Sequence, residues 1–511
     1  MRHLRSLAAA MTVAGFGLAA SPAMAGKSTD TLIWATDREN PIADSTFLNT
    51  RENVILGYML FDRPLYLDEK KKLHGLLATK WTWVDTTTIE MELRKGVKFH
   101  NGKEFDAEDL KYSYEFVLDR KNGALNYRYL SFMKSVEVLD KYKVRIKLTK
   151  PFPPALIYLA SSGSIVPKGH YQTAPTKPDG KKDFGAVKPI GTGPYMLAEM
   201  KPGETVLLKR FDGYYAGSPK GKPAISKVLL RTIKDPNTRL AELMTGAIDW
   251  IWDVPKDQAE RIKANPRLVV AKGKTVRFSY LAMDATGRTG VKLFMDKRVR
   301  MAVAHAINRE AMVKSLIGDP SEVIHSPCHP DQFGCTNDVK KYAYDPAKAK
   351  KLLAEAGHPN GFSVDIYAYR EREFAEAIIG DLSKIGIKAK LYFLQYSALL
   401  KKVRAGEVPF TNMTWGSSSI LDVSAATGHF FTGTPDDFAK DPQVIKMIAE
   451  ADGIVDTAKR EAAWKKVLER IADQAYWVPL FTYIKYFAHS KDLDFVVPND
   501  EIPRFFLSKW K

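Results

Sequence analysis

The sequence predicts an α/β fold with mixed sheets, divided among more than one domain. Three observations carry this reading. A helical stretch closed by glycine runs straight into a β-favouring stretch, as in Phe374 to Ile385, Gly386, then Ile387 to Phe393, and repetition of that order is α/β architecture. Short runs on either side of Asp140, at Val136 to Leu139 and Lys143 to Leu148, read as a hairpin and so add antiparallel strands. A chain of 511 residues, 45% of them hydrophobic, is too long for one compact core.

The elements follow in order. Thr31 to Thr36 is a β-favouring run that exits into a charged loop. Thr87 to Leu93 alternates, with Ile89, Met91 and Leu93 on one face and Glu90 and Glu92 on the other. Ala107 to Leu118 reads as a helix capped by Asp106, with Glu108 and Asp109 in its first turn. Thr176 to Pro189, rich in Lys, Pro, Asp and Gly, reads as an exposed connection. Asp235 caps a helix that has Pro236 at its first position and ends at Gly246. Further helices are predicted at Asp296 to Ile307, Arg309 to Ile317, Pro346 to Glu355 and through much of Val444 to Ala475, before an aromatic extended run at Trp477 to Ala488.

The first 25 residues have the form of an export signal. Arg2 and Arg5 precede an apolar, small-residue run that closes on Ala23-Met24-Ala25. Cleavage there would start the mature chain at Gly26, and no later segment offers an uncharged apolar run of membrane-spanning length. The formal net charge of +18 admits an anionic ligand, an anionic membrane surface or nucleic acid. Nucleic acid is set aside, because the lysines are scattered, no nucleic-acid motif accompanies them and the chain is read as exported. The two cysteines, Cys328 and Cys335, flank a short Pro- and Gly-containing loop. An exported chain favours a disulfide between them; a metal site with His325 and His329 is the competing expectation.

Catalytic signatures are absent: there is no G-x-S-x-G elbow, no H-E-x-x-H pair and no P-loop. Gly191 to Tyr195 contains Gly-x-Gly, but Pro194 stands where a dinucleotide fingerprint continues. His305 lies in an apolar helix and reads as packed. Binding chemistry is better represented. Met413 to Asp422 sets Trp415 beside Gly416, Ser417, Ser418 and Ser419, an indole next to hydroxyl and amide donors. Tyr367, Tyr369, Arg370 and Arg372 stand at the exit of another predicted strand, where open α/β sheets bind ligands and where a guanidinium suits a carboxylate or phosphate.

Several motifs together are specific. They are Ala78-Thr79-Lys80-Trp81, the run Thr88 to Gly102 ending in Phe99-His100-Asn101-Gly102, Phe105 to Asp109, GTGPY at Gly191 to Tyr195, Ile248-Asp249 two residues after Gly246, Asp296 to Arg300 followed by Ala306-Ile307-Asn308-Arg309, Tyr344-Asp345-Pro346 and Pro479-Leu480. On these the chain resembles the bacterial extracellular solute-binding proteins of family 5, the peptide, nickel and opine receptors of ABC importers. The motif residues themselves read as structural, with Gly96 and Gly102 in turns, Asp106 as a cap and Phe99 and Phe105 as core anchors.

The resemblance implies a two-lobed periplasmic binding protein with mixed sheets, two crossovers between the lobes and a large inserted subdomain. Mapped onto this chain, residues 1–25 are the signal peptide, 26–278 and 485–511 the first lobe, 58–184 the inserted subdomain and 279–484 the second lobe. It implies no enzymatic activity and no cofactor. The expected partners are a small solute and an inner-membrane ABC permease complex, with the receptor itself a monomer. In dipeptide-type relatives an aspartate shortly after the tryptophan of the site loop holds the ligand amine. Here serines follow Trp415 and Gly416, and the next acid is Asp422. That departure, with Arg370 or Arg372 retained for a ligand carboxylate, points to an anionic solute such as a peptide-like compound, an opine or a sugar derivative. A dipeptide, oligopeptide or nickel-chelate receptor is the alternative, the last on account of His325, His329 and His429; a peptide-binding chaperone and a hydrolase are the rivals from other classes.

Overall fold

The computed structural model describes residues 26–48, 50–416 and 419–511; residues 1–25, expected from the sequence to be an export signal, lie outside them, as do Asn49, Ser417 and Ser418. One mixed sheet of ten strands organises most of the chain. From edge to edge it runs Lys388–Phe393, Ser363–Ala368, Phe410–Trp415, Leu268–Met283, Trp477–Ser490, Trp250–Ile251, Thr31–Thr36, Lys227–Thr232, Thr205–Arg210 and Tyr195–Lys201. The two central strands are 16 and 14 residues long and pair antiparallel. They are the two crossovers between the halves of the molecule. The second half of Leu268–Met283 pairs with Phe410–Trp415, and the end of Trp477–Ser490 pairs with Trp250–Ile251.

Pairing of the two long strands is interrupted midway. Lys274 lies opposite Ile484 and Phe278 opposite Thr482, so three residues on one strand face a single residue, Tyr483, on the other. A bulge of this kind bends the strand and redirects its side chains. The hydroxyl of Thr275 donates to the Tyr483 carbonyl at 2.8 Å, which satisfies a group the broken ladder would strand. Beyond the bulge Tyr280 and Trp477 stack with centroids 3.6 Å apart, the type of pair that adds about 0.5–1.5 kcal/mol beyond the area it buries.

A second, antiparallel sheet of four strands, Ala78–Asp85, Thr88–Leu93, Lys143–Leu148 and Met133–Asp140, has its own core under the helix Ala107–Leu118. That helix starts at a reciprocal capping box between Asp106 and Asp109, which answers two of its free N–H groups. The family motifs explain themselves here. Phe99 and Phe105 are fully buried, and Gly96 and Gly102 adopt φ of 73° and 87°, where a side chain would be strained. Gly191 and Gly193 are required for another reason: a Cβ on either would stand 2.1 or 2.4 Å from the carbonyls of Leu60 and Met59.

The disulfide Cys328–Cys335 is formed, with Cα atoms 5.8 Å apart. His305 is packed, its ring nitrogen 2.7 Å from the Ala343 carbonyl. No helix among the described residues is long and apolar enough to cross a membrane.

Candidate ligand-binding cleft

Five strands, Thr31–Thr36, Trp250–Ile251, Ser363–Ala368, Lys388–Phe393 and Phe410–Trp415, bring their carboxyl ends to one cleft. Its outer part measures about 1020 Å³ and an inner recess about 250 Å³. Trp252, Asp253, Tyr369, Arg370, Tyr396 and Lys485 belong to both, so the two are one space. The long strands form its floor. The bulge turns Arg277 into the recess, and Lys485, Tyr483 and Tyr486 come from the partner strand. Ligands in open α/β sheets bind beyond the strand carboxyl ends, and here both halves of the sheet supply those ends.

The recess is cationic. Arg38, Arg51, Arg128, Arg277, Arg370 and Lys485 line it against three acids, Glu52, Asp253 and Glu501. Glu501 takes two hydrogen bonds from Arg277, at 2.9 and 3.2 Å, and Arg51 stands 3.3 Å away. Burial would raise the Glu501 carboxyl, but the charges of Arg277 and Arg51 outweigh it and hold the group well below the usual carboxylate range. Lys485 pairs with Asp253. Arg370 donates to Glu371 at 2.7 Å, and Glu371 also accepts from the Tyr483 hydroxyl at 3.3 Å. Arg38, exposed at the mouth, makes no ion pair among the described residues.

Trp415 forms one wall. Its ring stacks on His429 at 4.6 Å and 7°, meets Phe430 edge-on and carries the Arg128 guanidinium at 5.7 Å. Its buried indole N–H has no partner among the described residues. Gly416 leaves room for two guanidinium groups: a Cβ there would lie 2.9 Å from that of Arg277 and 3.0 Å from that of Arg51, so either would have to shift. Tyr369 donates to or accepts from the Thr414 hydroxyl at 2.8 Å, and Arg277 donates to the same oxygen at 3.0 Å. Asp253, Glu371 and Glu501 all hold positive φ, of 55°, 44° and 65°. Strain of that kind is retained where surrounding contacts over-determine the backbone, as at ligand clamps.

Of the residues singled out in the sequence, the cleft brings together Tyr369, Arg370, Trp415 and Gly416. The others stand elsewhere. Asp422 is buried and locked by Arg460 through two hydrogen bonds of 2.8 and 2.9 Å, so neither carboxylate oxygen faces the cleft. Its segment turns away because the disulfide loop grips it: the Gln332 amide donates to the carbonyls of Ile420 and Asp422, and the Phe333 N–H to that of Leu421. Ser419, at φ 62°, accepts from Arg51 at 3.1 Å and donates to the Asp500 carbonyl at 2.8 Å. Arg372 is the first residue of the helix Arg372–Ser383, bonds Glu376 one turn on and lies over Phe393, outside the cleft. Tyr367 stacks on Tyr392 at 5.0 Å instead. The histidines expected for a nickel chelate are occupied: His429 with Trp415 and Asp436, His329 in the disulfide loop and His325 beside Arg309.

Sequence reasoning missed Arg38, Arg51, Glu52, Arg277, Lys485 and Glu501. Arg38 follows the end of Thr31–Thr36 and was within reach of the strand-end argument that found Arg370. Nothing in the sequence marks Arg277 or Glu501, which meet across 224 positions.

A two-lobed body crossed by two long strands, with a cleft at the strand ends where they cross, is the form of a solute-binding protein. Comparison with known proteins makes this specific: a profile for the bacterial extracellular solute-binding proteins, family 5 Middle, matches residues 72–438. The chain belongs to that family. It is 28% identical over 451 residues to the glutathione-binding protein GsiB of Escherichia coli (strain K12), covering 84% of each chain. Among solved structures it is similar to the ABC transporter-associated periplasmic binding protein DppA of Helicobacter pylori in complex with the peptide STSA, at 28% identity and a TM-score of 0.82 over 94% of this chain and 98% of that one. It is also similar to AgaA of A. tumefaciens R10 in complex with agropinic acid, at 25% identity and a TM-score of 0.80 over 94% and 99%.

Proposed function

We propose that this chain is the periplasmic receptor of an ABC importer and that it traps a small anionic solute, peptide-like, opine-like or a sugar derivative, between two hinged lobes. The observation that carries this is the charge of the recess, six cations against three acids at the point where five strand ends converge. Such a surplus in a partly enclosed space favours carboxylates over neutral or cationic solutes. The names of the relatives support the same class, since one binds glutathione and another holds agropinic acid. The complex of DppA with STSA supports a peptide as the neighbouring possibility.

In this reading residues 1–25 are removed on export, the lobes are 26–278 with 485–511 and 279–484, and 58–184 form the inserted subdomain. The hinge is the bulge at Thr275–Arg277 and Tyr483, where the ladder between the long strands is broken. Arg38 and Arg51 belong to one lobe, Arg370 and Trp415 to the other. A solute touching both sides favours the closed form, which the permease then recognises; equal contact in both forms would shift nothing. No bond is broken, and the solute is released unchanged.

The test is native mass spectrometry of protein purified without refolding, with chemical identification of whatever is released, and small-angle scattering before and after that solute is returned. The expected result is one intact anionic solute and a more compact particle on re-addition. Turnover of the solute, or a scattering profile that no solute alters, overturns the reading.

A further inference from the structure

We infer that removal of residues 1–25 creates an ion pair: the new α-ammonium of Gly26 joins the carboxylate of Asp249, so that export processing completes a charge site which the precursor leaves unanswered. This rests on the reading above in which cleavage follows Ala25. Asp249 is 5% exposed and immediately precedes the strand Trp250–Ile251. Its Oδ2 accepts from the Ile33 N–H at 2.8 Å, its own N–H donates to the Ile33 carbonyl at 2.8 Å, and its carbonyl accepts from the Ser490 N–H at 2.8 Å. One residue therefore ties Thr31–Thr36 to the end of Trp477–Ser490. The other carboxylate oxygen, Oδ1, takes no hydrogen bond from the described residues and is turned to Gly26.

Gly26 is held in place to answer it. Its N–H donates to the Thr31 carbonyl at 3.2 Å, and its carbonyl accepts from the N–H groups of Thr29 and Thr31. Asp249 Oδ1 stands 2.9 Å from where a Cβ on Gly26 would be, and Gly26 has φ of 84°. Any side chain here would strike the carboxylate, so glycine is what lets the acid come up to the backbone. In the precursor the nitrogen at this place is a neutral amide. Hydrolysis of the Ala25–Gly26 bond gives the oxygen of a water molecule to Ala25 as a carboxylate and both its protons to the Gly26 nitrogen. The resulting amine is charged near neutrality, since an α-amino group ordinarily titrates at about 7.7–8.0.

The charged groups around Asp249 do not take this role. Lys27 donates to the Lys511 carbonyl and Arg267 to that of Met244. Lys491 lines the same pocket of about 320 Å³ and makes no ion pair among the described residues. His489 is turned to the Ser490 carbonyl at 2.8 Å, and Asp492 adds like charge. Burial pushes the Asp249 carboxyl up to about 7, against the bond from Ile33. A buried carboxylate without a cation is costly. An ammonium beside it lowers the acid and raises the amine. The pair can form only once the signal segment is gone, so it stabilises the exported chain and not its precursor.

The experiment uses protein purified from the periplasm, whose intact mass locates the N-terminus. The rate of acetylation at the Gly26 amine by acetic anhydride is then followed against pH, in folded and in guanidinium-unfolded protein, with fragment masses separating Gly26 from Lys27. At pH 7, and relative to its own plateau at high pH, the folded amine should react at least tenfold more slowly than the unfolded one, because pairing keeps it protonated. Asp249→Asn, which keeps an acceptor for Ile33, should bring the two rates to within about twofold. Insertion of two serines between Ala25 and Gly26 moves the ammonium away and should lower the melting temperature of the wild type but not of Asp249→Asn. The raised amine pKa makes that advantage present at pH 7 and lost as pH rises through it. The comparison of folded with unfolded wild type stands even where a variant does not fold. A chain that begins at Gly26 with equal normalised rates folded and unfolded, or a slowing that survives in Asp249→Asn, overturns the pair alone. A mature chain that begins elsewhere removes the cleavage reading and the pair with it.

Discussion

Asp422 meets one guanidinium, Arg460, through two hydrogen bonds in a site closed to solvent. In the recess, six cationic side chains face three lining acids, only Arg370 having an acidic partner beyond them, in Glu371, among the described residues, and Glu501 must answer two arginines at once. The chemical groups are the same and the stoichiometry is not. A one-to-one bidentate pair is complete and has nothing left for a visitor. Such a pair stabilises chiefly in the sense that breaking it is expensive, because the survivor is left charged and buried. A surplus cluster is incomplete by construction, and the deficit can be made good only by something that arrives with negative charge. Between these two regions, the matched pair is architecture and the surplus of cations lines the cleft. The pairs Lys220–Asp62, fully buried at 2.6 Å, and Arg504–Asp500 at 2.7 Å belong with Asp422 on the matched side.

The largest effect should come from breaking the matched pair. Asp422→Ala leaves Arg460 buried without its carboxylate and should cost about 3–5 kcal/mol in denaturant unfolding. A stable Asp422→Ala protein that had lost its solute would reverse the distinction and return Asp422 to the binding site. Next in size is the disulfide. Joint replacement of Cys328 and Cys335 by Ser should cost roughly 2–3 kcal/mol by the chain-entropy estimate for so short a loop. Because the loop holds Ile420, Leu421 and Asp422 by their carbonyls, solute affinity should weaken as well. Unfolding and calorimetry on the same variant separate the two, and a variant with full affinity would show that the grip on the segment is dispensable for binding.

The sequence was most legible where a local rule decides the outcome. The helix Ala107–Leu118 begins and ends where its Asp106 cap and apolar spacing place it. Ile89, Met91 and Leu93 are buried, while Glu90 and Glu92 remain at least partly exposed, as the alternation requires. Leu268–Met283 was not legible as one long strand, because Lys272, Lys274 and Arg277 interrupt its apolar pattern. Lys272 and Lys274 are exposed to solvent, and Arg277 is polar because it lines the cleft rather than a core. The site divides in the same way. Tyr369, Arg370, Trp415 and Gly416 were accessible from their positions beside strand ends. Asp422 was misread, because its partner lies 38 residues further on and no local feature announces the pair. Arg372 was misplaced because the helix begins at that residue, two before the predicted Phe374, and takes its side chain into an i, i+4 pair.

The smallest difference is also the most discriminating, because it falls between two arginines two positions apart. Arg370 lines the cleft, while Arg372 bonds Glu376 on the helix surface with its side chain 57% exposed. Arg370→Ala should weaken an anionic solute at least tenfold, about 1.4 kcal/mol, since it removes a donor from the cleft and leaves Glu371 to repel the ligand. Arg372→Ala should change affinity by less than twofold and stability by at most about 0.5 kcal/mol, the usual worth of an exposed helical pair. Both are read from one calorimetric series in which salt is varied. The Arg370 deficit should persist at high salt, because a partly enclosed charge is screened less than a surface one. Equal losses in the two variants, both abolished by salt, would mean that the cleft attracts its solute only through the general field of a basic protein and that Arg370 does not touch it.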